Sequence, residues 1–243
     1  MIKKNKNIIV ASHPRTGNHW LMYSIWSNFY FKNKVEKYNN LFGCHFPSKK
    51  CSIKKYVKRN GLHDKNQIFF VITLFRNLLD TLLSLYNFRE RFGIDGSVDF
   101  KDFIHTRYKN MKLSEKTNVI WDKGEEQVIY TKVSYILMKN NLSRDFTPVE
   151  FWVESMKYWF QNADIIVNYE NFKNDPIQTL NMIHNMTGIE IKKNTTIRKD
   201  RIGWYSNNDK YIVNQSEIDV LKKCESDFLE DVYIDTAIVT GRV

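Results

Sequence analysis

Three times along this chain a short apolar run breaks into a polar turn and then into apolar residues at helical spacing. That alternation restricts the fold more than any other feature. Residues 7–12 (Asn7-Ile8-Ile9-Val10-Ala11-Ser12) are apolar and β-branched and read as a buried strand. The turn His13-Pro14-Arg15-Thr16-Gly17 follows. Residues 18 to about 31 then place Trp20, Leu21, Ser24, Ile25 and Asn28 at helical spacing. Residues 67–75 are almost continuously apolar, as a strand buried on both faces of a parallel sheet is. A helix is expected over residues 77 to about 91, ended by Gly93-Ile94-Asp95-Gly96. The last unit has its strand at 164–168, and Asp175-Pro176 opens a helix to Thr187 that Gly188 closes. Such units predict one α/β domain over residues 1–243, with a central parallel β-sheet flanked by helices.

Other segments are less periodic. Residues 32–65 read as irregular and basic, with room for a short helix at 53–57. Helices are expected at 98–108 and 125–139, with a loop at 118–124 between them. Residues 148–162 form a clearer helix, with Thr147 as N-cap and Pro148 in the first turn. Residues 192–213 read mostly as loop, and 216–232 as an amphipathic helix capped by Ser216.

Composition narrows the class. A hydrophobic share of 42% and a charged share of 26% suit a globular chain rather than a disordered one. No apolar run reaches the length of a membrane span. The basic start resembles a signal sequence, but its apolar run is too short and His13 and Arg15 interrupt it. Three cysteines build no disulfide framework, so a reducing, cytoplasmic setting is expected. The formal net charge of +10 favours anionic ligands: nucleic acid, phosphorylated cofactors, acidic glycans or anionic lipid. A charge spread over solvated faces for solubility meets the same arithmetic.

The first turn has the makings of an anion cradle. A strand, a tight turn with Gly17 and a helix starting at Asn18 aim backbone N–H groups and the positive end of a helix dipole at one spot. Arg15 adds a full charge, and Thr16 and Asn18 add short polar groups. The nucleotide-binding pattern G-x-x-x-x-G-K-[ST] is absent. A second candidate lies at the end of the strand at 67–75. There Arg76 occupies a C-terminal strand end, where α/β folds bind ligands. Asp80 and Ser84 follow one helical turn apart, and pairing of Arg76 with Asp80 is the plain alternative.

Together, and in this order, these motifs resemble the PAPS-dependent sulfotransferases, whose donor is 3′-phosphoadenosine 5′-phosphosulfate. The family's Y-P-K-S-G-T-T-W loop is similar to His13-Pro14-Arg15-Thr16-Gly17-Asn18-His19-Trp20. Its R-[ND]-P-x-D-x-x-x-S motif is similar to Arg76-Asn77-Leu78-Leu79-Asp80-Thr81-Leu82-Leu83-Ser84, with Leu78 in place of Pro. Val167-Asn168-Tyr169-Glu170-Asn171-Phe172 with Asp175-Pro176, Cys44-His45-Phe46-Pro47, and residues 198–204 resemble three further family segments. In the last, Asp200 replaces a Gly and the Asp before Trp204 is missing.

The resemblance implies a P-loop-NTPase-like sulfotransferase fold and in-line transfer of a sulfuryl group to an acceptor oxygen or nitrogen. It implies that Arg15 binds the phosphosulfate and that the amides of Thr16, Gly17, Asn18 and His19 hold the 5′-phosphate. Trp20 and Tyr169 would lie against adenine, Arg76, Ser84 and Arg198 would hold the 3′-phosphate, and Lys199 would be a further cofactor contact. His45 is the expected general base, with His19 and His63 as competitors, since imidazole titrates near neutrality. No metal is expected. The acceptor class stays open among small molecules, carbohydrates and peptides. Nucleic acid is not expected as a partner, and the oligomeric state is not legible. Three other readings compete: a basic polyanion-binding module, a nucleotide kinase, and a sulfotransferase-like fold that binds nucleotide without turnover.

Overall fold

Strand β1 (Asn5–Ala11) forms where the β-branched run demands it, and it becomes a central strand of a sheet. The computed structural model describes residues 5–13, 15–30, 41–44, 67–92, 94–111, 119–122, 125–128, 146–195, 197 and 213–232. β2 (Leu41–Cys44), β3 (Gln67–Phe75) and β6 (Ile165–Asn168) complete a four-stranded sheet in the order β2-β1-β3-β6. Every pairing in it is parallel. The expected α/β class with a central parallel sheet is therefore the observed one. The register sets Ala11 beside Cys44, Val10 beside Ile72 and Phe75 beside Asn168.

The chain divides into two compact units. The first comprises Met1–Arg76, Ser155–Ser206 and Leu229–Val243. One sheet face there carries Ile8, Val10, Ile72, Leu74, Ile165 and Val167, all fully buried. Helix α1 (Asn18–Asn28) covers it through Trp20, Leu21 and Ile25. Short helix α5 (Tyr169–Asn174) adds Phe172, and α6 (Pro176–Thr187) adds Leu180 and Ile183. On the opposite face Phe75 meets Phe160 of α4 (Pro148–Asn162), with ring centroids 5.7 Å apart. Each fully buried Leu, Ile or Phe of this kind contributes about 1.5–3 kcal/mol.

The second unit comprises Asn77–Glu154 and Asn207–Phe228. It contains α2 (Leu78–Tyr86), α3 (Phe100–His105) and the antiparallel hairpin β4 (Val119–Asp122) with β5 (Glu125–Val128). Tyr86 packs edge-on against Phe100 and Phe103, donates its hydroxyl to the Val98 carbonyl at 3.0 Å and carries the Arg89 guanidinium over its ring. Most of helix α7 (Gln215–Val232) belongs here, and Glu225 on it accepts the first-turn amide of Leu78 at 2.9 Å. Among the described residues no helix is long and apolar enough to cross a membrane.

Several sequence expectations change. β2 was not foreseen inside the basic stretch at 32–65; the rest of that stretch, with the helix at 53–57, lies outside the described residues. The expected loop at 118–124 contains β4, and the expected helix at 125–139 begins as β5. Only two residues, Lys123 and Gly124, separate the paired Asp122 and Glu125, a spacing that favours a hairpin. Residues 77–91 end as helix at Tyr86 and tighten into a 3-10 turn at Arg89–Phe92, and the helix expected at 98–108 shrinks to Phe100–His105. Ser216 sits inside α7, whose first-turn amides of Glu217 and Ile218 bond the Asn214 carbonyl instead.

Candidate anion-binding turn

The β1–α1 turn starts from a buried polar knot. Ser12, the residue after β1, is fully buried, donates its hydroxyl to the Asn18 side-chain oxygen and lies 2.5 Å from Thr16 Oγ1. Thr16, also fully buried, donates to the His13 carbonyl at 2.8 Å. These bonds replace water for groups that would otherwise be costly to bury. They also hold the two ends of the turn, residues 12 and 18, together. Pro14 lies outside the described residues.

Two left-handed residues give the turn its shape. Gly17 has φ +102° and caps α1, its carbonyl accepting the amides of Trp20 and Leu21. A Cβ on Gly17 would stand 2.7 Å from Cε2 of Tyr169, so only glycine fits. Arg15, at φ +72°, has the same handedness without glycine's freedom, a conformation that costs about 1–3 kcal/mol unless its surroundings hold it.

Those surroundings come from two other strand ends. Arg76 follows the last residue of β3, and its Nη1 donates to the Arg15 carbonyl at 3.1 Å. A hydrogen bond from a charged donor is worth about 1.5–3 kcal/mol, comparable with the strain. The Arg76 guanidinium carbon also lies 4.6 Å from the centre of the Tyr169 ring, a cation–π contact. Tyr169 follows the last residue of β6 and begins α5. Thus the C-terminal ends of β1, β3 and β6 meet, where parallel α/β sheets bind ligands.

His19 is exposed in the first turn of α1. Partial desolvation of its ring and the neighbouring Arg15 charge both push the imidazole below its usual value. It is therefore neutral near pH 7 and able to accept a proton. Trp20 is buried, with its ring 4.1 Å from Phe172 and 6.1 Å from Tyr169 between centroids. It belongs to the core beneath the turn.

The structure thus brings together Arg15, Thr16, Gly17, Asn18, Trp20, Arg76 and Tyr169, with His19 at the rim. Ser84 lies on α2 in the second unit, one turn after Asp80, whose amide and carboxylate both bond Asn77. His45, His63, Arg198 and Lys199 lie outside the described residues. Sequence reasoning overlooked Ser12 as the hub of the polar knot, although a serine closing an apolar strand just before a turn is a signal for one. It also overlooked that Arg76 reaches a backbone carbonyl of the first turn. Among the described residues no group of His, Cys, Asp and Glu is arranged to hold a metal ion.

The donor set is cationic and rich in N–H groups at a helix start, which fits phosphate or sulfate. No protein-family model matches the chain, and no curated protein matches it. Among solved structures, the mouse sulfotransferase SULT7A1 complexed with PAP matches with 15% sequence identity and a TM-score of 0.39. The match covers 90% of this chain and 64% of that one, so the chain spans less than two thirds of the mouse protein's length. The fold class itself rests on the strand order and directions given above.

Proposed function

We propose that this chain is a sulfotransferase that takes PAPS as donor and transfers the sulfuryl group to a hydroxyl or amine by in-line displacement. The observation that carries this reading is the meeting of Arg15, Gly17, Arg76 and Tyr169 at the C-terminal end of the parallel sheet. Those residues come from three separate motifs, and it is on those motifs that the family resemblance was drawn.

PAPS, when bound, supplies an activated sulfuryl group. Arg15 binds the phosphosulfate and offsets the charge that develops on the leaving oxygen, as preorganised cations do in phosphoryl transfer. The amides of residues 16–19 receive the 5′-phosphate. Tyr169, half-buried, is accessible to adenine, and Trp20 backs it from the core. The sequence motifs add Ser84 and Arg198 to Arg76 for the 3′-phosphate, and Lys199 as a further cofactor contact. His45 takes the acceptor's proton; β2, which ends one residue before it, is the parallel neighbour of β1. His19, neutral and exposed, is the second candidate for that base. The acceptor is a small molecule, carbohydrate or peptide, met in the cytoplasm, and the whole chain works as one sulfotransferase domain.

Calorimetric titration with 3′-phosphoadenosine 5′-phosphate (PAP), with ADP as control and no added metal, tests the reading. Micromolar or tighter PAP binding with much weaker ADP binding is the expected result. Absent or equal binding of the two nucleotides overturns it. Sulfate transfer from PAPS to a panel of phenolic, carbohydrate and peptide acceptors then separates an enzyme from a fold that only binds.

A further inference from the structure

Arg76 matches a motif read as a 3′-phosphate ligand, yet its guanidinium is already engaged with the first turn. Nη1 holds the Arg15 carbonyl at 3.1 Å, and the planar group lies over the Tyr169 ring at 4.6 Å. That ring occupies the space a Gly17 side chain would need, within 2.7 Å. Arg15, whose carbonyl is held, is the non-glycine residue with positive φ among the described residues. The contacts form a continuous path: the Tyr169 ring lies against Gly17, Arg76 lies over that ring, and its Nη1 ties the Arg15 carbonyl.

We infer that Arg76 is a positioning residue of the anion turn, keeping the turn in its binding shape for any 5′-phosphate ligand, whether or not that ligand carries a 3′-phosphate. The inference rests on the sulfotransferase reading and deepens it. A planar guanidinium stacks by its face and donates by its edge at the same time. A lysine carries the same charge but has neither plane nor fork, so it cannot do both. Charge and positioning are therefore separable by one substitution.

The test is titration of the full chain and its Arg76→Lys variant with two probes, PAP and AMP, the second lacking the 3′-phosphate. Arg76→Lys is expected to weaken both probes by about tenfold or more, the loss of one charge-assisted hydrogen bond. Amide hydrogen exchange of residues 12–20 without ligand is expected to quicken in the variant, while the urea midpoint stays near wild type. A role confined to general stability would move the midpoint and leave the affinity of the folded variant unchanged. Should Arg76→Lys fold poorly, Tyr169→Leu removes the ring that Arg76 lies over and is expected to quicken exchange of residues 12–20 and to weaken inorganic pyrophosphate, which has no adenine for Tyr169 to meet, whereas unchanged exchange and pyrophosphate affinity overturn the inference. If Arg76→Lys weakens PAP but leaves AMP within about twofold, with unchanged exchange in the turn, Arg76 serves only the 3′-phosphate and the inference falls while the sulfotransferase reading stands. If the wild type binds neither probe, the reading and the inference fall together.

Discussion

At Gly17 two independent constraints coincide: a left-handed backbone and a tyrosine ring pressed against the position of a Cβ. Gly17→Ala meets both, because Tyr169 cannot retreat without disturbing the stacked Arg76. The variant is expected to lose about 2 kcal/mol of stability, read by urea unfolding, with PAP binding falling further than stability. An unchanged midpoint would mean that the turn relaxes easily. His19 gives a pH prediction. Desolvation and Arg15 hold its folded value below the ordinary 6.5, so below that pH the unfolded chain takes up a proton that the folded chain refuses. Stability from this residue is therefore lost as pH falls through 6.5 towards the folded value, and regained as pH rises. A bound phosphate works in the opposite direction, favouring the imidazolium. From about pH 8 to about pH 6, PAP affinity of the wild type relative to His19→Gln is expected to rise, with proton uptake on binding. Comparison with the variant cancels the titration of the ligand itself. Parallel curves would remove His19 from the anion site.

Elements in this chain carry their own stop and start signals. Asn77, Asp99, Asn168 and Asp175 each accept an amide three residues on, at the starts of α2, α3, α5 and α6. At α4 the exchange is reciprocal: the Glu150 carboxylate accepts the Thr147 amide at 2.8 Å, and the Thr147 hydroxyl accepts the Glu150 amide at 3.2 Å. This capping box makes Thr147→Ala a cost of about 1 kcal/mol by urea unfolding, and a change too small to detect would show that packing alone holds the helix end. Helix C-termini are treated differently. Lys6 from β1 donates to the Thr187 carbonyl at the end of α6, and Lys192 donates to the Ser27 carbonyl at the end of α1. Cations there answer the negative end of each helix dipole. Two of the chain's basic residues are thus accounted for by helix ends, so net charge overstates what is available to a ligand.

For the molecule as a whole the charge of +10 has a measurable consequence. A built nucleotide site combines a few charge contacts with stacking and hydrogen bonds, whereas a diffuse basic surface binds by counterion release alone. Raising salt from about 0.05 M to about 0.5 M is expected to weaken PAP binding by about tenfold, and heparin binding by about a hundredfold or more. Equal salt slopes for the two would favour a polyanion-binding surface over the sulfotransferase reading.

Much of the layout was legible in the residues themselves. Pro148–Asn162 and Pro176–Thr187 came out with the expected bounds, and β3 matched its apolar run to the residue. Caps, proline at a helix start, Gly188 at a helix end and hydrophobic period act over a few residues, so local sequence determines them. The β1–α1 turn was legible for the same reason, since its strand, Gly17 and helix start are contiguous. Tertiary structure alone decided that Leu41–Cys44 joins the sheet beside β1 and that residues 119–128 pair as a hairpin. It alone turned Arg76 onto a carbonyl 61 residues away and set the Tyr169 ring against Gly17. Those contacts join segments far apart in the chain. Their free energy depends on where the sheet brings the strand ends, which no local propensity encodes.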